Sequence, residues 1–454
     1  MSATTETLEP SDTQSVGFAQ SAFDQRMADI ADPGPFREWR ERAWTAYQDA
    51  PYPHRKDEPF RFATVRRATD EGYLLQPHDS STASDLLQRS NIMTSTAGQL
   101  VFANDEVIDY QPVSKELQEK GVRFLPIRKA FEEAPELLEQ HLCKERRDLG
   151  ARKFRALHDA LCTNGTLLYI PNNVVVEQPF VSYHWVQGDH SAIFPHTLFI
   201  AGDNAQATFI DYFASQQSEH PQFVSSAGLL KAGKNSHLNR LFIQNLNESS
   251  IQFHNEYTEV DRDSAPTSIS VHLGGHYARH ESALQIEGEG SSARLYGLTV
   301  GAGKQEFDQR TLQVHNAPQA YSDLLYKNAL LEKARTIFSG MIRVEEVGQK
   351  TDAYQTNRNL QLSGDADANS LPGLEIEAND VKCSHGATTG RLDESELFYM
   401  MSRGIEPTEA KRLLVFGFFE EIVLKIPFQE LADSLRDHVH AKFDTIRQRN
   451  EKIN

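Results

Sequence analysis

The chain has 454 residues, 39% hydrophobic and 24% charged, with a formal net charge of -18. That length exceeds what one core usually holds, so two or three domains are expected. The acidic balance argues against nucleic acid, which needs a basic stripe, and against an anionic membrane surface. Three cysteines, Cys143, Cys162 and Cys383, exclude a disulfide framework. Without a Cys-x-x-Cys, no four-thiolate zinc or iron–sulfur site can be built from this chain alone.

Residues 1–25 are polar and carry no basic segment followed by an apolar run, so a flexible tail rather than a secretory leader is expected there. No apolar stretch is long enough to cross a bilayer, and the expected compartment is the cytoplasm. From Pro35, the spacing of Phe36, Trp39, Ala43 and Tyr47 predicts a helix that stops before Pro51. Residues 57–66 and 99–110 read as short strands, the second interrupted by a turn at Asn104-Asp105. From Lys115 to Ala160 the pattern is helical again, and residues 26–165 are expected to form a mostly helical N-terminal domain.

At Asn164-Gly165 the texture changes. Short strands follow one another, among them Thr166–Ile170, His196–Ala201, Ala205–Tyr212, Ser236–Gln244, Ser268–Leu273, Ala293–Val300 and Arg310–His315, punctuated by Gly, Asn, Asp and Ser. No exact internal repeat is visible, which disfavours a propeller. Sandwich, barrel and parallel β-helix all hide sheet edges. Asn-Gly hairpin turns are scarce, so a parallel β-helix over 166–392 is the expected core. The fold class is therefore mainly β with flanking helices. Residues 393–454 read as a C-terminal helical domain. Asp393 and Glu396 start one helix, Gly404 ends it, and Pro407 opens a second carrying Leu414, Phe418 and Ile422. A third runs from Phe428 to Arg449 with Leu431, Leu435, Val439 and Phe443 on one stripe. These helices are expected to cap the open end of the solenoid or to present a face to a partner.

Of 17 histidines, His272, His276 and His280 have the spacing of a helical ligand ladder. Gly274-Gly275 would break that helix, so ordinary hydrogen-bonded histidines are the expectation. Phosphate-loop, His-Glu-x-x-His and Gly-x-Ser-x-Gly motifs are absent, so neither ATP hydrolysis nor the common hydrolase chemistries have their local signals. Glu375 and Glu377 read as a solvated strand face. Cys383 and His385, two apart on a strand, share one face. A thiolate and an imidazole suit iron or zinc but make only half a site. Taken alone, the pair reads first as a buried cysteine beside a hydrogen-bonded histidine.

The run from Asp380 to Gly390 (DVKCSHGATTG), then Leu397-Phe398-Tyr399 and Ser402-Arg403-Gly404-Ile405, resembles the SufB/SufD family of iron–sulfur cluster assembly proteins. Asn357-Arg358-Asn359-Leu360, Leu371 to Ile376, the His315, Ser322 and Lys327 region, and Ala410 to Ile422 extend the resemblance. SufB-like chains carry His-Glu-Ala-Thr where this chain has His385-Gly386-Ala387-Thr388, and a scaffold cysteine near Thr356. Both departures resemble the SufD side of the family. The resemblance implies a right-handed parallel β-helix, a non-catalytic role, pairing with a SufB-like subunit and docking of a SufC-like ABC ATPase on the C-terminal helices. It implies His385, with Cys383 the weaker candidate, as ligand to a transient iron–sulfur cluster at the partner interface, with no cofactor held stably by this chain alone. It implies Phe398, Tyr399, Arg403, Gly404, Leu414 and Phe418 as partner-binding residues. A homodimer, a purely structural dimerisation role without a cluster ligand, and a β-helical carbohydrate-active enzyme are the other readings.

Overall fold

The structure, a computed structural model, describes residues 17–28, 30, 34–144, 146, 148–217 and 219–451. Residues 1–16 of the expected tail lie outside these. Helices α1 (Gln20–Ala28), α2 (Gly34–Asp49) and α3 (Ala83–Arg89) precede strands β1 (Gly98–Ala103) and β2 (Glu106–Gln111). Next come α4 (Lys115–Glu119), β3 (Arg123–Pro126), α5 (Ile127–Glu133), α6 (Pro135–His141) and α7 (Arg152–Leu161). The β region runs through β4 (Gly165–Ile170), β5 (Phe180–Val186), β6 (Ser191–Ile193), β7 (His196–Ala201), β8 (Gln206–Ser215), β9 (Gln222–Ala232), β10 (His237–Asn245) and β11 (Ile251–Val260). It continues through β12 (Thr267–His272), β13 (Tyr277–Ile286), β14 (Ser292–Gly301), β15 (Glu306–His315), β16 (Tyr321–Leu330), β17 (Arg335–Val344), β18 (Asp352–Gln361), β19 (Asp367–Ile376) and β20 (Lys382–Arg391). Helices α8 (Glu394–Ser402), α9 (Pro407–Val423) and α10 (Gln429–Glu451) end the described chain.

From β7 on, successive strands alternate between two sheets, and within each sheet they pair in parallel, β7-β9-β11-β13-β15-β17-β19 in one and β8-β10-β12-β14-β16-β18-β20 in the other. This is a parallel β-solenoid of about eight turns. Its repeat sits at one corner rather than in a sequence motif. Asn173, Asn204, Asn235, Asp263, Gly290, Gln319 and Lys350 all have positive φ and recur roughly thirty residues apart, one per coil. Each donates its backbone N–H to a carbonyl of the next coil: Asn173 to Asp203, Asn204 to Lys234, Asn235 to Arg262, and so on to Lys350 and Asp380. The side chains of Asn173, Asn204 and Asn235 form a ladder with 2.8 Å amide bonds. Asparagine tolerates the left-handed conformation this corner requires.

The two ends of the solenoid differ. At the first coils, β2 pairs antiparallel with β1 and β3 antiparallel with β4, closing both sheets. The β1–β2 turn is the one expected at Asn104-Asp105, with φ of 46° and 64°. At the last coil, β19 and β20 are the terminal strands of their sheets. The C-terminal helices do not cap this end, contrary to expectation. Val415, Phe419, Ile422 and Val423 of α9, and Leu431, Leu435, Val439 and Phe443 of α10, join one core with Tyr212, Ile243, Val271 and Leu298 on the outer face of the even-numbered strands. That outer face carries an apolar row on β8, β10, β12, β14 and β16, and burying it outweighs capping one coil. The outer face of the odd-numbered strands is covered by the N-terminal segment. There α7 packs on β9 and β11, and Arg279 of β13 donates to the carbonyls of Pro59 at 2.9 Å and Leu149 at 3.1 Å.

Two stretches depart from the sequence reading. Residues 57–66, expected as strand, form 3-10 turns at Glu58–Phe60 and Val65–Arg67. Pro59 supplies no ladder donor there, and the buried residues Phe60 and Ala63 are three apart rather than alternating. The expected helical run 115–160 is broken at Gly121, which has φ of 86°, and by β3.

Candidate functional site

Burial falls along the last three even-numbered strands. On β16 it is nearly complete, on β18 it alternates, and on β20 most residues are exposed. The cause is topological: among the described residues, β20 has a neighbour on one side only and no helix lies over the coil's open end.

Cys383 and His385 lie on this strand two residues apart. They pair in register with Ala353 and Gln355 of β18, which are 0% and 1% exposed and face the lumen. Both side chains therefore belong to the lumenal row of the final coil, at the open mouth. Cys383 packs with Ile342, Val344, Ala353 and Ala378, and burial raises its thiol above the ordinary value, with Asp352 adding to the rise. It stays a thiol at neutral pH, a poor ligand until a metal or base removes the proton. His385 is exposed, and its ring makes no hydrogen bond among the described residues. Beneath it, Gln355 leaves Oε1 buried with no hydrogen-bond partner.

A polar column supports the mouth from below. Asn359 donates to Asn357 Oδ1 at 2.8 Å and to Thr389 Oγ1 on β20 at 3.3 Å, while Asn328 donates to Asn359 Oδ1 at 2.8 Å. Ser370 of β19 donates to Asn357 Oδ1 at 2.6 Å and so ties the two sheets together. These side chains satisfy one another inside the lumen and hold the final coil in place without a cap.

Thr356 and Gly386 are direct partners in the β18–β20 ladder, on the opposite face from His385. A Cβ at Gly386 would meet nothing within 4 Å, so a larger side chain would fit there. Glu375 and Glu377 are exposed, as expected of a solvated face.

On the helices, Phe398 and Tyr399 are 72% and 57% exposed. Arg403 and Gly404 are also exposed, with Arg403 donating to Tyr399 Oη at 3.2 Å. Leu414 and Phe418 are only half-exposed. Phe418 packs back on the solenoid, its carbonyl accepting from Lys327 Nζ at 2.7 Å. Met401, Leu413 and Leu424 complete the exposed apolar surface; Leu424, beyond the last amphipathic turn, carried no sequence signal. Lys327 also pairs with Glu421 at 2.6 Å, and Arg358 reaches the same carboxylate at 3.4 Å, so one carboxylate ties α9 to β16 and β18.

The chain matches two family models, SufBD protein N-terminal region over residues 21–181 and SUF system FeS cluster assembly, SufBD core domain, over residues 184–418. It is 28% identical to the iron–sulfur cluster assembly protein SufD of Bacillus subtilis over 76% of this chain and 79% of the relative. To SufD of Escherichia coli it is 32% identical, over 60% of this chain and 65% of the relative. A SufBD family protein of Synechocystis is 31% identical over 64% of this chain and 67% of the relative. No helix among the described residues is long and apolar enough to cross a membrane. The chain thus belongs to the SufBD family of iron–sulfur cluster assembly proteins and is SufD-like.

Proposed function

We propose that this chain is the non-catalytic SufD-type subunit of a cytoplasmic cluster-assembly complex. Its final coil pairs with a SufB-like subunit, and its C-terminal helices dock a SufC-like ABC ATPase. The observation that carries this reading is the uncovered last coil, with two ten-residue parallel strands and His385 at its mouth. A long unpaired strand edge is a template for another chain, and an exposed imidazole on it is positioned to ligate a nascent cluster shared with that chain.

The cluster is cargo, not a resident group. On this reading His385 supplies a ligand or positioning group, with Cys383 secondary because its thiol is held protonated. The pair Thr356–Gly386 has no side chain that ligates iron, so sulfide-bearing chemistry falls to the partner. Among the described residues nothing buries Phe398 and Tyr399, and a protein groove that covered them would gain their burial energy. The half-buried Leu414 and Phe418 hold α9 on the solenoid and contribute at the rim.

Co-purification with SufB-like and SufC-like partners, followed by iron and sulfide analysis, tests the proposal. A stable ternary complex carrying iron and sulfide is expected. A homodimer through the same edge with no affinity for the ATPase contradicts it. The carbohydrate-active reading calls for an acidic calcium cluster, whereas the metal-sized side-chain clusters among the described residues contain histidine.

A further inference from the structure

Deep inside the solenoid, away from the mouth, a second group of ligand-type side chains converges. His254 and Glu256 lie two apart on β11, and His280 on β13 is in direct register with His254. All three face the lumen and are buried. One ligand atom from each lies within 4.8 Å of the others. Ser226 Oγ lies 2.8 Å from His254 Nδ1, fixing the ring so that Nε2 faces Glu256 at 3.3 Å. A bond of this kind on the far nitrogen orients ligating histidines. Glu256 Oε1 and His280 Nδ1 are buried without a hydrogen-bond partner, and so is Nε2 of His272, whose ring is 4.9 Å from that of His280. A cavity of about 10 Å³ lined by Glu256 and His280 opens beside them. Arg240 stands 3.3 Å from Glu256 and 3.4 Å from Asp211, so one guanidinium serves two carboxylates. The other cluster of this size among the described residues, His158, Cys162 and His196, already bonds its two rings to each other at 3.0 Å.

We propose that His254, Glu256 and His280 form a buried site for one divalent ion of the zinc class, with His272 at hand as a fourth ligand. Two imidazoles and a carboxylate are a borderline donor set that suits such an ion. The ion would satisfy polar atoms that are otherwise buried unpaired. It would be a structural pin between adjacent coils, distinct from the cluster cargo at the mouth and independent of the functional reading above. Sealed in the lumen, it would enter during folding.

The test uses the full chain, unfolded in chelator and refolded with Zn2+ or with chelator alone, then dialysed. About one zinc per chain, retained against dialysis, is expected, together with a higher Tm than the chelator sample. Glu256→Gln and His280→Gln should lose the metal, and His385→Ala should keep it. Refolded wild-type chain without retained zinc and with equal Tm in both samples, as when a water fills the cavity, overturns the site. Equal zinc in wild type and the two glutamine variants overturns it as well. If the variants do not fold, the wild-type comparison decides alone.

Discussion

The coils up to β17 and the final coil have the same backbone but opposite surroundings. The earlier coils are wrapped on one outer face by the N-terminal segment and on the other by α9 and α10, so most of their strand residues are buried. The final coil keeps its corner bond from Lys350 to Asp380 and rests on the lumenal asparagines of β18, but among the described residues it has no cover over its open end. The covered region is built for stability. The bare coil is left for another molecule, and damage to it should cost function with little loss of stability.

The largest effect of a single substitution is expected in the covered region. Arg279 pairs with Asp308 at 2.5 Å and with Glu281 at 2.7 Å, and Arg310 pairs with Asp308 at 2.7 Å. Asp308→Ala strips a carboxylate from two buried guanidiniums and should cost about 3–5 kcal/mol in chemical denaturation. An unchanged midpoint would show that the network contributes nothing.

Next comes acid. Burial lowers His158 to about 3 and His315 to about 4. The unfolded chain takes up these protons near pH 6.5, while the folded chain refuses them until far lower. Stability is therefore full above that value and falls as pH drops toward 4. Each such histidine adds a slope of up to about 1.4 kcal/mol per pH unit. Tm measured from pH 7 to 4.5 should decline steadily, and a flat profile would contradict burial of these rings in neutral form.

The smallest stability effect is expected on the bare coil. Ile376 on β19 is 39% exposed. Ile376→Lys should leave the midpoint of the isolated chain within about 0.5 kcal/mol, as for other exposed positions, while reducing co-purification of the SufB-like partner. A large loss of stability would mean that the edge belongs to the fold itself.

Much of this contrast was legible in the sequence. The strands from Thr166 onward, the Asn104-Asp105 turn and the helices opened by Asp393 and Pro407 all appear near their expected positions, because alternation, turn residues and caps are local signals. The coil repeat was not legible. Asn204, Asp263, Gln319 and Lys350 share only a backbone conformation, which residue identity encodes loosely. The placement of α9 and α10 was missed because an apolar stripe states that a face is buried, not against what. The histidines show the same limit. His272, His276 and His280 looked like a ladder along one helix, but they fall on a strand, a loop and another strand. Residues 273–276 form no helix, and a Cβ at Gly274 would come within 1.7 Å of the Leu246 carbonyl, so that loop accepts only glycine there. The cluster that does form joins His280 to His254 across neighbouring coils, a contact set by register. Cys383 and His385 were found because they sit on one strand, where spacing alone gives the shared face.

The most direct test of the central claim is iron and sulfide content of the complex reconstituted with SufB-like and SufC-like partners around the His385→Ala chain. The account predicts that the three chains still co-purify while iron and sulfide are lost, with a smaller loss for Cys383→Ser. An intact complex that loads iron and sulfide normally without the His385 imidazole would contradict it.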